Sequence, residues 1–136
     1  MSETLFLSYS KRLEPTASIA ISALKEKGHA TELLSGSPKD GSLVLLFLDM
    51  ESSEEEIYAA APWLKEQFEY SSLLALRLMP FLLYHSSKGS VEDQVEECLA
   101  DTLESVISGE FKPYGFDLDA QEPLAEFESV LESYEE

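Results

Sequence analysis

Leu43 to Leu48 (LVLLFL) is apolar at every position, and a run of that length suits a strand covered on both faces. Such a strand needs a layer on either side, which places it at the centre of a sheet and makes the chain an α/β domain. Gly36-Ser-Pro-Lys-Asp-Gly41 marks a turn ahead of it. Asp49 to Ser53 follows with capping chemistry, and Glu54, Glu55 and Glu56 stand where carboxylates oppose the positive end of a helix dipole.

The elements around this strand are read in the same way. Thr4 to Ser8 (TLFLS) fits a buried first strand. Thr16 to Leu24 alternates with period two, Ala17, Ile19, Ile21 and Ala23 on one face and Ser18, Ala20 and Ser22 on the other, and is read as a second strand. A helix from Thr16 capped at Gly28 competes with it, since residues 23–27 favour helix. A helix is predicted over Ser53 to Tyr70 with Ile57, Ala60, Ala61, Leu64 and Phe68 facing the sheet, bent or missing a bond at Pro62.

Leu73 to Tyr84 is the longest apolar stretch. Pro80 within it predicts a strand over Leu76 to Tyr84 with a local irregularity. The clearest helical pattern begins at Ser90, with Val91, Val95, Leu99, Leu103, Val106 and Ile107 in one stripe that ends at Gly109. Near the end, Leu124, Phe127, Val130, Leu131 and Tyr134 have the spacing of a short amphipathic helix. The expected architecture is a single sheet with two main helices packed on it, one domain over residues 1–123 followed by an acidic helix or tail over 124–136.

Charge narrows the partners. With 27 acidic and 9 basic residues the chain carries −18, a field that repels nucleic acid and anionic membranes. Hydrophobic residues at 44% place that charge on a folded body. An acidic face docking on a basic partner and a salt adaptation both account for it. Cys98 is the sole cysteine, so an internal disulfide and a thiolate metal cluster are excluded. No apolar run reaches the ~18 residues of a membrane span, and the amino terminus does not read as a signal peptide. A cytoplasmic protein is expected, with no cofactor, no metal, and neither DNA nor membrane as partner.

Glycine-rich phosphate loops, paired-cysteine motifs, His-Glu-x-x-His and the nucleophile elbow are all absent. His29 falls in a polar turn and reads as solvated. His85 ends the long apolar strand in Tyr84-His85-Ser86-Ser87, and the carboxyl end of a strand is where α/β folds place ligands. There it has the chemistry to relay a proton or orient a water. Tyr9 and Ser10, ending the first strand, form a second polar cluster that converges with His85 if the two strands are neighbours. Trp63 reads as core or interface.

Taken in order, several segments resemble the archaeal editing domain of threonyl-tRNA synthetase, which has the D-aminoacyl-tRNA deacylase-like fold. They are TLFLSYSKRLE, SIAISALK, LVLLFLDMESSEEE, RLMPFLLYHSS, KPYGF and PLAE, and together they span most of the chain. The resemblance implies a pocket that hydrolyses serine mischarged on threonine tRNA, with His85 and Glu126 as its catalytic groups. It also implies that Tyr9, Ser10, Ser86, Ser87 and Tyr114 bind substrate. A synthetase, or a tRNA acceptor end presented by a partner, is then expected beside a homodimer of the chain. The departures are specific. After Gly115 the chain reads Phe116, Asp117 and Leu118 where the family has a tyrosine and a lysine, and Tyr9 stands where the family usually has histidine. Loss of that lysine removes transition-state stabilisation, so a non-catalytic dimeric interaction or regulatory module is the alternative.

LFLSYS, PWLKEQF and MPFLLY also resemble signalling domains of the Toll/interleukin-receptor type. That fold's second helix has no room between Gly28 and Leu43, and Gln67 stands where its catalytic glutamate is expected. Strand order separates the two resemblances. The editing type pairs its first two strands as a hairpin, whereas the signalling type inserts a helix between them.

Overall fold

The structure, a computed structural model, describes residues 4–34, 43–49, 51, 54–63, 77–88 and 114–133. The helix expected from Ser90 to Gly109, Cys98, the turn at 36–41, Gln67 and Tyr134 lie outside the described residues.

Five parallel strands form one sheet: β1 (Leu5–Ser8), β2 (Thr31–Leu33), β3 (Leu43–Leu48), β4 (Arg77–Tyr84) and β5 (Tyr114–Asp117), in the order β2-β1-β3-β4-β5. The six residues of β3 are all buried and pair with β1 on one side and β4 on the other, as an all-apolar run demands. Alternation then sorts its side chains. Leu43, Leu45 and Phe47 join one apolar cluster, and Val44, Leu46 and Leu48 join the other.

Three helices are described: α1 (Glu14–Glu26), α2 (Glu54–Ala60) and α3 (Phe127–Ser133). Helix α1 covers one face of the sheet through Ala17, Ala20 and Leu24, and the C-terminal segment joins it there through Leu124, Phe127 and Leu131. Ile57 of α2, with Ala61 and Trp63 just beyond it, covers the opposite face. The first face is rich in rings: Phe81 lies 4.8 Å from Phe47, 5.6 Å from Phe116 and 5.5 Å from Tyr114 between centroids. Burying one such ring contributes about 2 kcal/mol.

The segment read as a second strand is helix α1. Its buried stripe, Ala17, Ala20 and Leu24, has helical spacing and joins the apolar cluster on one face of the sheet. Pro15 opens the helix, where a missing amide costs nothing. Gly28, at φ 90°, closes it: its N–H donates to the Lys25 carbonyl and that of His29 to the Leu24 carbonyl, the paired bonds of a Schellman cap. The period-two pattern is a by-product of small polar residues between apolar ones, and Ile19, which it assigned to a core, is 56% exposed.

Other expectations are refined. Helix α2 ends at Ala60, before the Ala61-Pro62 step that disfavours helical backbone, and residues 64–70 of the helix expected to reach Tyr70 lie outside the described residues. Strand β4 runs unbroken through Pro80, and among the described residues its pairing with β5 begins at Phe81. The Tyr114-Gly-Phe segment of KPYGF forms strand β5.

Candidate functional site

Parallel strands end together, so the residues after β1, β3, β4 and β5 share one edge of the sheet. The chain leaves β1 toward β2 on one side and continues from β3 to β4 on the other, which puts the topological switch point between the carboxyl ends of β1 and β3.

An ion-pair network fills that point. Arg12, in a 3₁₀ turn (Lys11–Leu13) after β1, donates from Nη1 to Asp49 Oδ2 at 2.9 Å and from Nη2 to Asp49 Oδ1 at 2.8 Å. The same guanidinium donates through Nε to Glu56 Oε1 at 2.7 Å and through Nη2 to Glu56 Oε2 at 3.0 Å. Ser10 Oγ donates to Glu56 Oε1 at 2.7 Å. The hydrogen bonds it donates to Asp49 and then to Glu56 hold the guanidinium further above its usual, already high range. Beneath the network Tyr9 stacks on Phe47 at 5.7 Å, leaving a gap of about 10 Å³, too small for a ligand.

A second cluster follows β4 and β5. His85 Nδ1 lies 3.2 Å from Asp119 Oδ1, and Ser87 donates to Asp119 Oδ2 from its hydroxyl at 2.6 Å and its amide at 3.1 Å. Ser86 and Asp119 donate their amides to Asp117 Oδ1 at 3.2 and 2.9 Å. Hydrogen bonds from Ser87, reinforced by His85, hold the Asp119 carboxyl down at about 2. Burial pushes the Asp117 carboxyl up, but the amide of Asp119 and both donors of Ser86 outweigh it and leave it below the ordinary range. The carboxylate stands between serine and histidine, each of which bonds it; a serine nucleophile instead needs the imidazole on its own hydroxyl.

The third feature is a groove of about 350 Å³ beside β5, lined by Tyr84, Tyr114, Asp117, Glu122 and Glu126 among others. Tyr84 lies across Gly115, whose missing side chain leaves room for the ring: a Cβ there would sit 3.1 Å from Cε1. Burial, then the charges of Asp117 and Glu126, raises the Tyr84 phenol. Tyr114 is buried, donates to the Pro123 carbonyl and is pushed up by burial to about 12.

The residues expected to form one pocket are thus distributed over three places. Tyr9 and Ser10 belong to the switch point, His85, Ser86 and Ser87 to the Asp119 cluster, and Tyr114 and Glu126 to the groove. Strand β3 lies between the strands that carry Tyr9 and His85, so the neighbouring-strand arrangement expected for them is not the one adopted. His29 is not solvated: its side chain is 8% exposed, packs edge-on to Phe127 at 5.2 Å and meets Glu128 at 2.8 Å through Nε2. Arg12, Asp49 and Tyr84 escaped sequence reasoning, although each lies at or just past the carboxyl end of an apolar run. Among the described residues no group of three histidine, cysteine or acidic side chains is placed to hold a metal, and no helix is long and apolar enough to cross a membrane.

Comparison with family models, with curated proteins and with solved structures finds no match to this chain.

Proposed function

We propose that this chain is a non-catalytic interaction module, acting by surface contact, which shares with Toll/interleukin-receptor signalling domains a helix between its first two strands but has no room for that fold's second helix. The observation that carries the proposal is that the described residues at the switch point close on one another. Where doubly wound sheets receive small ligands, this chain places Arg12 between Asp49 and Glu56, over a gap smaller than any metabolite. The layout supports it as an analogy of fold: α1 stands between β1 and a parallel β2, the feature that separates the signalling resemblance from the editing one. Strong negative charge suits a surface that selects partners by electrostatic complementarity.

The competing reading is hydrolysis of seryl-tRNA by His85 and Glu126. The test runs both together. Deacylation of seryl-tRNA is followed with and without threonyl-tRNA synthetase, and photo-crosslinkers at exposed positions of the acidic surface are activated in living cells. The module predicts no turnover above background, no effect of His85→Ala, and discrete protein adducts. Turnover abolished by His85→Ala, or a surface that yields no adduct at any position, overturns it.

A further inference from the structure

We infer that the groove beside β5 is a docking site for an arginine side chain of a basic protein partner. The inference rests on the interaction-module reading and names the partner chemistry for one surface.

Three observations converge on that occupant. The groove is a cavity with aromatic walls, and its volume of about 350 Å³ suits the end of a long side chain. Tyr84 and Tyr114 line it, and the Tyr84 ring lies over Gly115, where a Cβ would sit 3.1 Å from its Cε1 and press the ring back by a few tenths of an ångström. Every charge on the lining is negative, from Asp117, Glu122 and Glu126, and from Tyr114 to Glu136 the chain has eight acidic residues and neither lysine nor arginine. An anion is repelled here, and a neutral apolar group would strip water from carboxylates without replacing it. A guanidinium satisfies both surfaces, because its plane stacks on a phenol ring while its edge donates to carboxylates. A lysine ammonium supplies the charge without the planar fork.

The test separates a built site from the general attraction of a −18 chain. A short peptide with one arginine is titrated into the full chain at about 0.15 M salt, where exposed charges beyond about 8 Å are screened, and followed by amide NMR. Saturable shifts are expected at Gly115, Asp117 and Glu126, and the citrulline version of the peptide, equal in shape and uncharged, is expected to give none. The double variant Glu122→Gln/Glu126→Gln removes two exposed carboxylates without touching the core and is expected to weaken binding about tenfold. Glu14→Gln/Glu26→Gln, an equal loss of charge at exposed residues of α1 that do not line the groove, is expected to stay within about twofold. Tyr84→Phe keeps the ring and is expected to bind; Tyr84→Leu keeps the charge and is expected to bind weakly.

Equal loss in the two glutamate pairs, shifts that map elsewhere, or a citrulline peptide that binds as well overturns the groove. The outcomes remain distinct from those of the module reading. Groove binding together with His85-dependent turnover removes the module and leaves the groove. Cellular adducts only from positions away from β5, with no peptide binding, remove the groove and leave the module.

Discussion

The Arg12 guanidinium meets the Asp49 carboxylate edge to edge, one N–H to each oxygen at 2.8 and 2.9 Å, and turns its remaining edge to Glu56. This contact ties the end of β1 to the end of β3 and to α2, elements 37 and 44 residues away in sequence. It supplies countercharge to two carboxylates that are only about one-fifth exposed.

Arg12→Ala is therefore expected to destabilise the fold by about 1–2 kcal/mol, the range of a bidentate pair discounted for an arginine two-fifths exposed. Arg12→Lys is expected to recover less than half of this, since an ammonium cannot span both carboxylates in two parallel pairs. Urea denaturation at low and high salt checks both, and an Arg12→Ala loss that does not shrink with salt would contradict the electrostatic account.

Gly28 gives a purely conformational prediction. At φ 90° an L side chain is strained, yet a Cβ built there meets nothing within 4 Å. Gly28→Ala should cost about 1–2 kcal/mol through backbone strain alone, and Gly28→Asn less, because asparagine tolerates the left-handed region. Equal stability of the alanine variant and the parent in a thermal melt would show that the Schellman cap is not held as described.

How much of this was legible in the sequence depends on how local each signal is. The central strand was readable because burial on both faces leaves only apolar residues at Leu43 to Leu48. The short α3 was readable from the spacing of Leu124, Phe127 and Leu131. Residues 16–24 offered two periods at once, and the deciding signals, Pro15 and Gly28, sit outside the segment. The burial of His29 depends on Phe127 and Glu128, 99 residues on in the case of Glu128, and leaves no trace near His29. The switch-point network was invisible for the same reason: Arg12, Asp49 and Glu56 are ordinary surface residues until β1 and β3 become neighbours.

Asp119 should report the second cluster through pH. Its folded value, about 2, lies below the unfolded value of about 4. Its contribution to stability is therefore complete above the unfolded value and is lost as pH falls through about 2. Ser87→Ala removes the 2.6 Å hydroxyl bond but keeps the amide, so the Asp119 value should rise part of the way toward the ordinary range. Carboxyl NMR titration reads this directly. An unmoved Asp119 would mean that the hydroxyl does not hold it.

Tyr114 makes the opposite test at high pH. Burial keeps its phenol protonated up to about 12, above the unfolded value of about 10, so the proton it holds stabilises the fold fully below pH 10. That contribution disappears as pH rises through the folded value. Ultraviolet titration should show a tyrosine ionising well after the exposed ones, and Tyr114→Phe should abolish the late step. The variant should also cost about 1 kcal/mol at neutral pH, because the Pro123 carbonyl loses its donor while the ring keeps its place against Phe81 and Phe127. Alkaline unfolding should begin at the same pH in the variant whatever the phenylalanine costs near neutrality, if other groups trigger it. If it shifts upward instead, ionisation of Tyr114 is what opens the α3 face of the sheet.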